Sequence, residues 1–174
     1  MEDTIALIDQ LIKEHKVISD RVQSIEKVAN DASLLTDLQD ARETFVPGRL
    51  DQKQSLARLE EQVQAIGTWL EKHFNREETA LLQAIEKDGD SKLVTAFNSL
   101  LLEHTDLKNR IAHTKNHIAE LVGGGMAAHR WAASAGDMQT HLSHTRKLLE
   151  AHAGIENELF RELRQHLMEK TGRK

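Results

Sequence analysis

The sequence contains no cysteine, and that absence removes disulfides, thiolate zinc sites, iron–sulfur clusters and a cysteine nucleophile together. Tyrosine is also absent and proline occurs once, at Pro47, so little in the chain interrupts helices. No apolar run is long enough to span a bilayer. The first residues, MEDTIALIDQ, are acidic where a signal peptide would open with basic ones. The net charge of −5 offers no basic footprint for nucleic acid. These absences lead us to expect a soluble, cytoplasmic protein with no membrane or nucleic-acid partner. The 174 residues suit a single domain, 1–174, with a real hydrophobic core.

What is abundant is Leu, Ala, Glu, Lys and Gln, the composition of helices, together with ten histidines. A first helix is expected from about Asp3 to Val28, with Ile5, Ile8, Leu11, Ile12, His15, Ile18, Val22 and Ile25 on one face. A shorter helical stretch, SLLTDLQDARETFV, leads to the break at Pro47-Gly48. A long helix follows from about Arg49 to Lys87 and ends at the turn Asp88-Gly89-Asp90, with Ser91 as the expected N-cap of the next helix. That helix reaches Val122, where three glycines stop it, and a last helix, loosened at Gly136, continues to about Lys170. The expected fold is all-α: an antiparallel up-down-up-down four-helix bundle with an extra short helix between the first two long ones.

An internal repeat runs through these helices. IALIDQLIKEH places Ile5, Ile8, Leu11 and Ile12 before Glu14-His15, and VTAFNSLLLEH places Val94, Phe97, Leu100 and Leu101 before Glu103-His104 with the same spacing. LEKHFNREE holds His73 and Glu77, and LEAHAGIEN holds His152 and Glu156. The chain therefore reads His, then HxxxE, twice over. Counted from the turn at Gly89, Glu77 lies 12 residues back and His104 lies 15 forward. At about 1.5 Å per residue they share a depth within one helical turn.

Histidine and glutamate at i and i+4 project from one helix face, so each HxxxE presents a nitrogen and an oxygen to a common cation. The expected metal ligands are His15, His73, Glu77, His104, His152 and Glu156. With the carboxylates bridging two ions and the imidazoles shared two apiece, each ion receives two nitrogens and two oxygens, with room for a further small ligand. Such mixed ligation suits iron, manganese or zinc. A lone histidine on an apolar stripe is more often a hydrogen-bonded core residue, and a buried His–Glu hydrogen-bond network is the competing account of the layer. Six buried titratable groups, however, carry large desolvation costs unless paired or metal-bound. His113, His117, His129 and His166 point elsewhere or lie near helix ends. For His141 a polar layer with Glu26, Gln62 and Thr114 is expected.

The order His15, His73-x-x-x-Glu77, His104, His152-x-x-x-Glu156, with the strings EHK, HFNREE, EHT and HAGIENELF, resembles the hemerythrin-like, or HHE cation-binding, domain family over about residues 3 to 169. The resemblance implies two non-haem iron ions held by those six residues inside an antiparallel bundle. It implies a protein that binds or senses oxygen, a related small ligand such as nitric oxide or peroxide, or iron itself. Two departures separate this chain from the oxygen carriers of that family: Lys108 stands where they have a second histidine, and the last motif is HxxxE rather than HxxxxD. Six protein ligands instead of seven leave the metals more open, favouring sensing, redox handling or exchangeable iron over stable oxygen carriage.

Other classes fit less well. No Glu-x-x-His occurs, which sets the chain apart from ferritin-like di-iron enzymes. A binding or sensing role is expected rather than an enzyme, with weak redox turnover at an open site as its nearest enzymatic relative. The alternative is a metal-free helical interaction protein with a buried His–Glu polar layer.

Overall fold

A computed structural model describes residues 2–31, 54–123, 127–170 and 172. Among them every regular element is helical and no strand occurs. The short helix expected over residues 33–46 and the helix start expected near Arg49 lie outside the described residues. Helix α1 spans Glu2–Ala29. The second rod comprises α2 (Gln54–Arg76), a π-helical turn (Glu77–Leu81) and α3 (Leu82–Asp88). Helix α4 spans Ser91–Gly123 and α5 spans Ala128–Lys170.

Two helix-boundary details differ from the sequence reading. The cap of α4 is Asp90, not Ser91: Ser91 is already the first helical residue, the Asp90 carbonyl accepts from the Val94 N–H, and its carboxylate Oδ1 accepts from the Leu93 N–H at 2.8 Å. The Leu93 N–H holds the Asp90 carboxyl below the usual aspartate range, as an N-cap should. Gly136 does not loosen α5, which runs through it unbroken, and its carbonyl also accepts from the Thr140 hydroxyl. Neighbours on both sides carry the helix across a single glycine whose local cost is only about 1 kcal/mol.

The apolar side chains gather in two clusters. One contains Ile18, Val22, Ile66, Leu70, Phe74, Leu107, Ile111, Trp131 and Leu149, and the other contains Ile8, Leu11, Leu81, Ile85, Phe97, Leu100, Phe160 and Leu163. Each long rod passes from one cluster to the other. Along α1 and α4 the chain meets the second cluster first; along the second rod and α5 the order is reversed. In α1, α4 and α5 the crossing falls at His15, His104 and His152, and in the second rod it falls between Phe74 and Leu81, at Glu77. Packing joins α1 to α2 and α5, and α4 to α2, α3 and α5. Each fully buried Leu, Ile or Phe contributes about 1.5–3 kcal/mol, which lets two apolar clusters carry a polar layer between them. No described helix is long and apolar enough to cross a membrane.

Candidate metal centre

The layer between the clusters is made of the six side chains that the repeat singles out. His15, His73, His104 and His152 are 4%, 1%, 1% and 3% exposed, and Glu77 and Glu156 are both 0% exposed. The helical stripe that places leucines above and below them forces this burial.

The four imidazoles are all held the same way round. The Nδ1 of His73 lies 2.9 Å from Glu14 Oε2, that of His104 2.9 Å from Glu78 Oε1, that of His152 2.8 Å from Glu103 Oε2, and that of His15 2.9 Å from Asn157 Oδ1. An ionised carboxylate only accepts, so Nδ1 donates in the three carboxylate pairs. Arg76 and Gln10 also donate to Glu14, and Lys108 donates to Glu78 at 2.6 Å. Burial raises the pKa of both carboxyls, but these donors together with His73 and His104 outweigh it and hold Glu14 and Glu78 below the ordinary glutamate range. In a neutral imidazole Nε2 then carries the lone pair, the form a metal takes.

Each outer partner is the chain neighbour of an inner residue on a different rod. Glu14, beside His15 on α1, orients His73 on α2. Glu78, beside Glu77, orients His104 on α4; Glu103, beside His104, orients His152 on α5; Asn157, beside Glu156, orients His15 on α1. The four supports close a ring through all four rods.

The freed Nε2 atoms converge on the two carboxylates. Glu77 Oε1 lies 3.1 Å from His73 Nε2 and 3.5 Å from His15 Nε2, and its Oε2 lies 3.5 Å from His104 Nε2. Glu156 Oε2 lies 3.1 Å from His15 Nε2, and its Oε1 lies 3.2 Å from His152 and 3.5 Å from His104. The Nε2 atoms of His104 and His152 face each other at 3.1 Å. Despite these distances, His15 Nε2 and all four carboxylate oxygens lack hydrogen-bond geometry. Donors that share one cation at 2.0–2.2 Å are separated by about 2.9–3.4 Å, close to the distances found. Among the described residues two groupings bring one ligand atom from each side chain within 4.8 Å of one another: His15, His73, Glu77 and Glu156, and His104, His152 and Glu156.

The inner histidines and carboxylates shift one another's pKa values. Burial alone would push the His15 imidazole down, but Glu156 and Glu77 outweigh it and raise its pKa to about 10. His152 is raised in the same sense, against burial, by Glu156 and Glu103. Burial pushes the Glu156 carboxyl up, and the histidines around it more than reverse this, holding it far below the ordinary range.

Phenylalanines bound the layer on both sides. Phe74 stacks on His104 with ring centroids 4.1 Å apart, and Phe160 stacks on His15 at 5.6 Å. They exclude water and fix ring orientation.

Two features escaped the sequence reading. One is the π-turn, closed by the Leu82 N–H donating to the Glu77 carbonyl. It inserts one residue immediately after the inner carboxylate. The signal was present: buried residues follow Glu156 at +3, +4 and +7 (Leu159, Phe160, Leu163) but follow Glu77 at +4 and +8 (Leu81, Ile85). That lag of one is what a π-turn absorbs. The other is the ring of outer supports, invisible because each bond joins different helices. His141 needs a correction as well. Its Nε2 lies 3.1 Å from the Arg110 carbonyl, which also accepts from Thr114, while Glu26 pairs with Arg146. An extra backbone acceptor, not Glu26 or Gln62, serves His141.

No protein-family model matches the chain, and no curated protein and no solved structure is found similar to it. The likeness to hemerythrin-like domains rests on the residues and their spacing in the sequence.

Proposed function

We propose that the protein is a hemerythrin-like metal-binding protein that holds two non-haem irons in an antiparallel up-down-up-down bundle. The reversed order in which alternate rods meet the two apolar clusters supports that bundle. His15, His73 and Glu77 would hold one ion, His104 and His152 the other, and Glu156 would be common to both donor sets. Bound iron would supply a redox-active centre with room for a small exogenous ligand. The chain's residues orient the donors, exclude water and hold protons on the Nδ1 atoms. The role is binding or sensing of oxygen, nitric oxide, peroxide or iron, rather than catalysis. Manganese and zinc share these donor preferences.

The observation that carries this reading is the set of inward atoms. Five buried lone-pair atoms without a hydrogen bond meet in one layer, while every Nδ1 is spent on an outer partner. A proton-held network is the competing reading, favoured by the His15 pKa of about 10, and it would make the chain a metal-free helical scaffold. Mass spectrometry for metals on protein purified anaerobically from iron-replete cells separates the two. The expected result is about two irons per chain and, on exposure to air, charge-transfer bands in the optical spectrum. Absence of metal, with thermal stability unchanged on adding Fe(II), Mn(II) or Zn(II), overturns the reading.

A further inference from the structure

We infer that His113, His117 and His141 form a further metal site between α4 and α5, apart from the centre, for a late first-row divalent ion such as zinc(II), nickel(II) or copper(II). The inference does not depend on the two-iron reading. It rests on three histidines that the centre leaves unused.

His113 and His117 stand four apart on α4, so their imidazoles project from one helix face. His141 on α5 meets both: its ring centroid lies 6.4 Å from that of His113 and 6.2 Å from that of His117. The cluster is separate from the inner layer. His113 follows His104 by nine residues and His141 precedes His152 by eleven. At about 1.5 Å per residue these are steps of about 13 and 16 Å along the rods.

The nitrogens are prepared as donors. The Arg110 carbonyl only accepts, so His141 Nε2 donates to it across 3.1 Å, and in the neutral ring Nδ1 keeps the lone pair. His117 Nδ1 is shielded from solvent and has no hydrogen-bond partner among the described residues, a cost that a bound cation removes. Lys115, between the α4 pair in sequence, keeps its charge away from them: its ammonium lies over Gly67 on α2, 2.5 Å from where a Cβ would stand. Among the described residues only the inner side chains already stand within ligand spacing. Rings that share one ion at about 2.0–2.1 Å have centroids about 5–5.5 Å apart, so this cluster closes by about 1 Å when the ion enters. The exposed His113 is free to supply that movement. Three imidazoles without a carboxylate suit zinc, nickel or copper, and three protein donors leave a position for water.

Calorimetric titration of the full-length protein with zinc(II) tests the site, with nickel(II) as a second probe. The expected result is a zinc-binding step that survives in Glu156→Ala, which lacks the ligand common to both inner donor sets. His113→Ala, His117→Ala and His141→Ala should each weaken that step by about 10- to 100-fold or more, since even an outer support is worth that much. His144→Ala is the control and leaves the step unchanged, because its Nδ1 faces the Arg110 guanidinium at 3.4 Å. Circular dichroism checks that each variant keeps its helical content, and the exposed position of His113 makes a loss in His113→Ala a loss of a ligand rather than of the fold. Absence of the step in a folded Glu156→Ala overturns the site and leaves the centre standing. A step lost in His113→Ala and His117→Ala but kept in His141→Ala overturns it too, because the α4 pair alone would then hold the ion. Equal weakening by His144→Ala also overturns it, since any surface histidine would then serve.

Discussion

Glu156→Ala empties both halves of the centre. Glu156 is the one residue present in both donor groupings: its Oε2 meets His15 and its Oε1 meets His152 and His104. Its loss reduces one set from four donors to three and the other from three to two. Loss of an outer partner typically costs 10- to 100-fold in metal affinity, so loss of a bridging ligand should exceed roughly 100-fold. Metal content measured after dialysis should fall from about two ions per chain towards none. His73→Ala touches only the four-donor set and should leave the His104–His152 ion in place. Full retention of both ions in Glu156→Ala contradicts the bridging role. Glu156→Gln keeps the shape and discards the charge, so metal loss in that variant as well excludes simple misfolding when its helical content is unchanged.

The second large effect is a metal-induced stabilisation that grows with pH. In the metal-free protein His15 titrates near 10, above its ordinary 6.5. A raised imidazole pKa contributes stability that is fully present below pH 6.5 and is lost as pH climbs towards 10. The depressed Glu156 carboxyl contributes stability that is present above about pH 4.5 and disappears as the solution is made more acid. The metal-free chain should therefore weaken steadily above pH 6.5. Metal binding requires unprotonated Nε2 atoms, so it expels those protons, and its apparent affinity rises over the same range. At a free metal concentration a hundred times the dissociation constant, each ion adds about 2.7 kcal/mol, or roughly 5–10 °C in Tm for a chain of this size. Differential scanning calorimetry from pH 6 to 9, with and without Zn(II), should show the gap widening with pH. Calorimetric titration in two buffers of different ionisation enthalpy should show proton release. A gap independent of pH would mean that the metal binds groups other than these histidines.

The convergence of the six inner side chains was readable in the chain because they lie on the apolar stripes that also make the core. A histidine among isoleucines at helical spacing must face inward, and doing so at matched positions of four helices places all of them in one layer. The outer ring was not readable. Glu14 and Glu103 look like solvent-facing neighbours of His15 and His104, yet each serves a histidine on the next rod, and only the packing of helices reveals that. The π-turn left a trace, the one-residue lag after Glu77 relative to Glu156, which is visible only when the two halves are aligned as a repeat. Asp90 displaced Ser91 as a cap because both are good capping residues one position apart, and the Leu93 N–H decided between them. His141 was assigned side-chain partners where a backbone carbonyl was available, an acceptor that sequence patterns do not display.

The central claim is that four Nε2 atoms and two carboxylates enclose a pair of cations. Anomalous diffraction from crystals grown with Fe(II) or Zn(II), recorded on both sides of the metal edge, tests it most directly. The account predicts two peaks inside the layer, one within about 2.0–2.2 Å of the Nε2 atoms of His15 and His73 and the other equally close to those of His104 and His152. Peaks confined to surface histidines, with the four inner Nε2 atoms hydrogen-bonded to the carboxylates or to water, would contradict it.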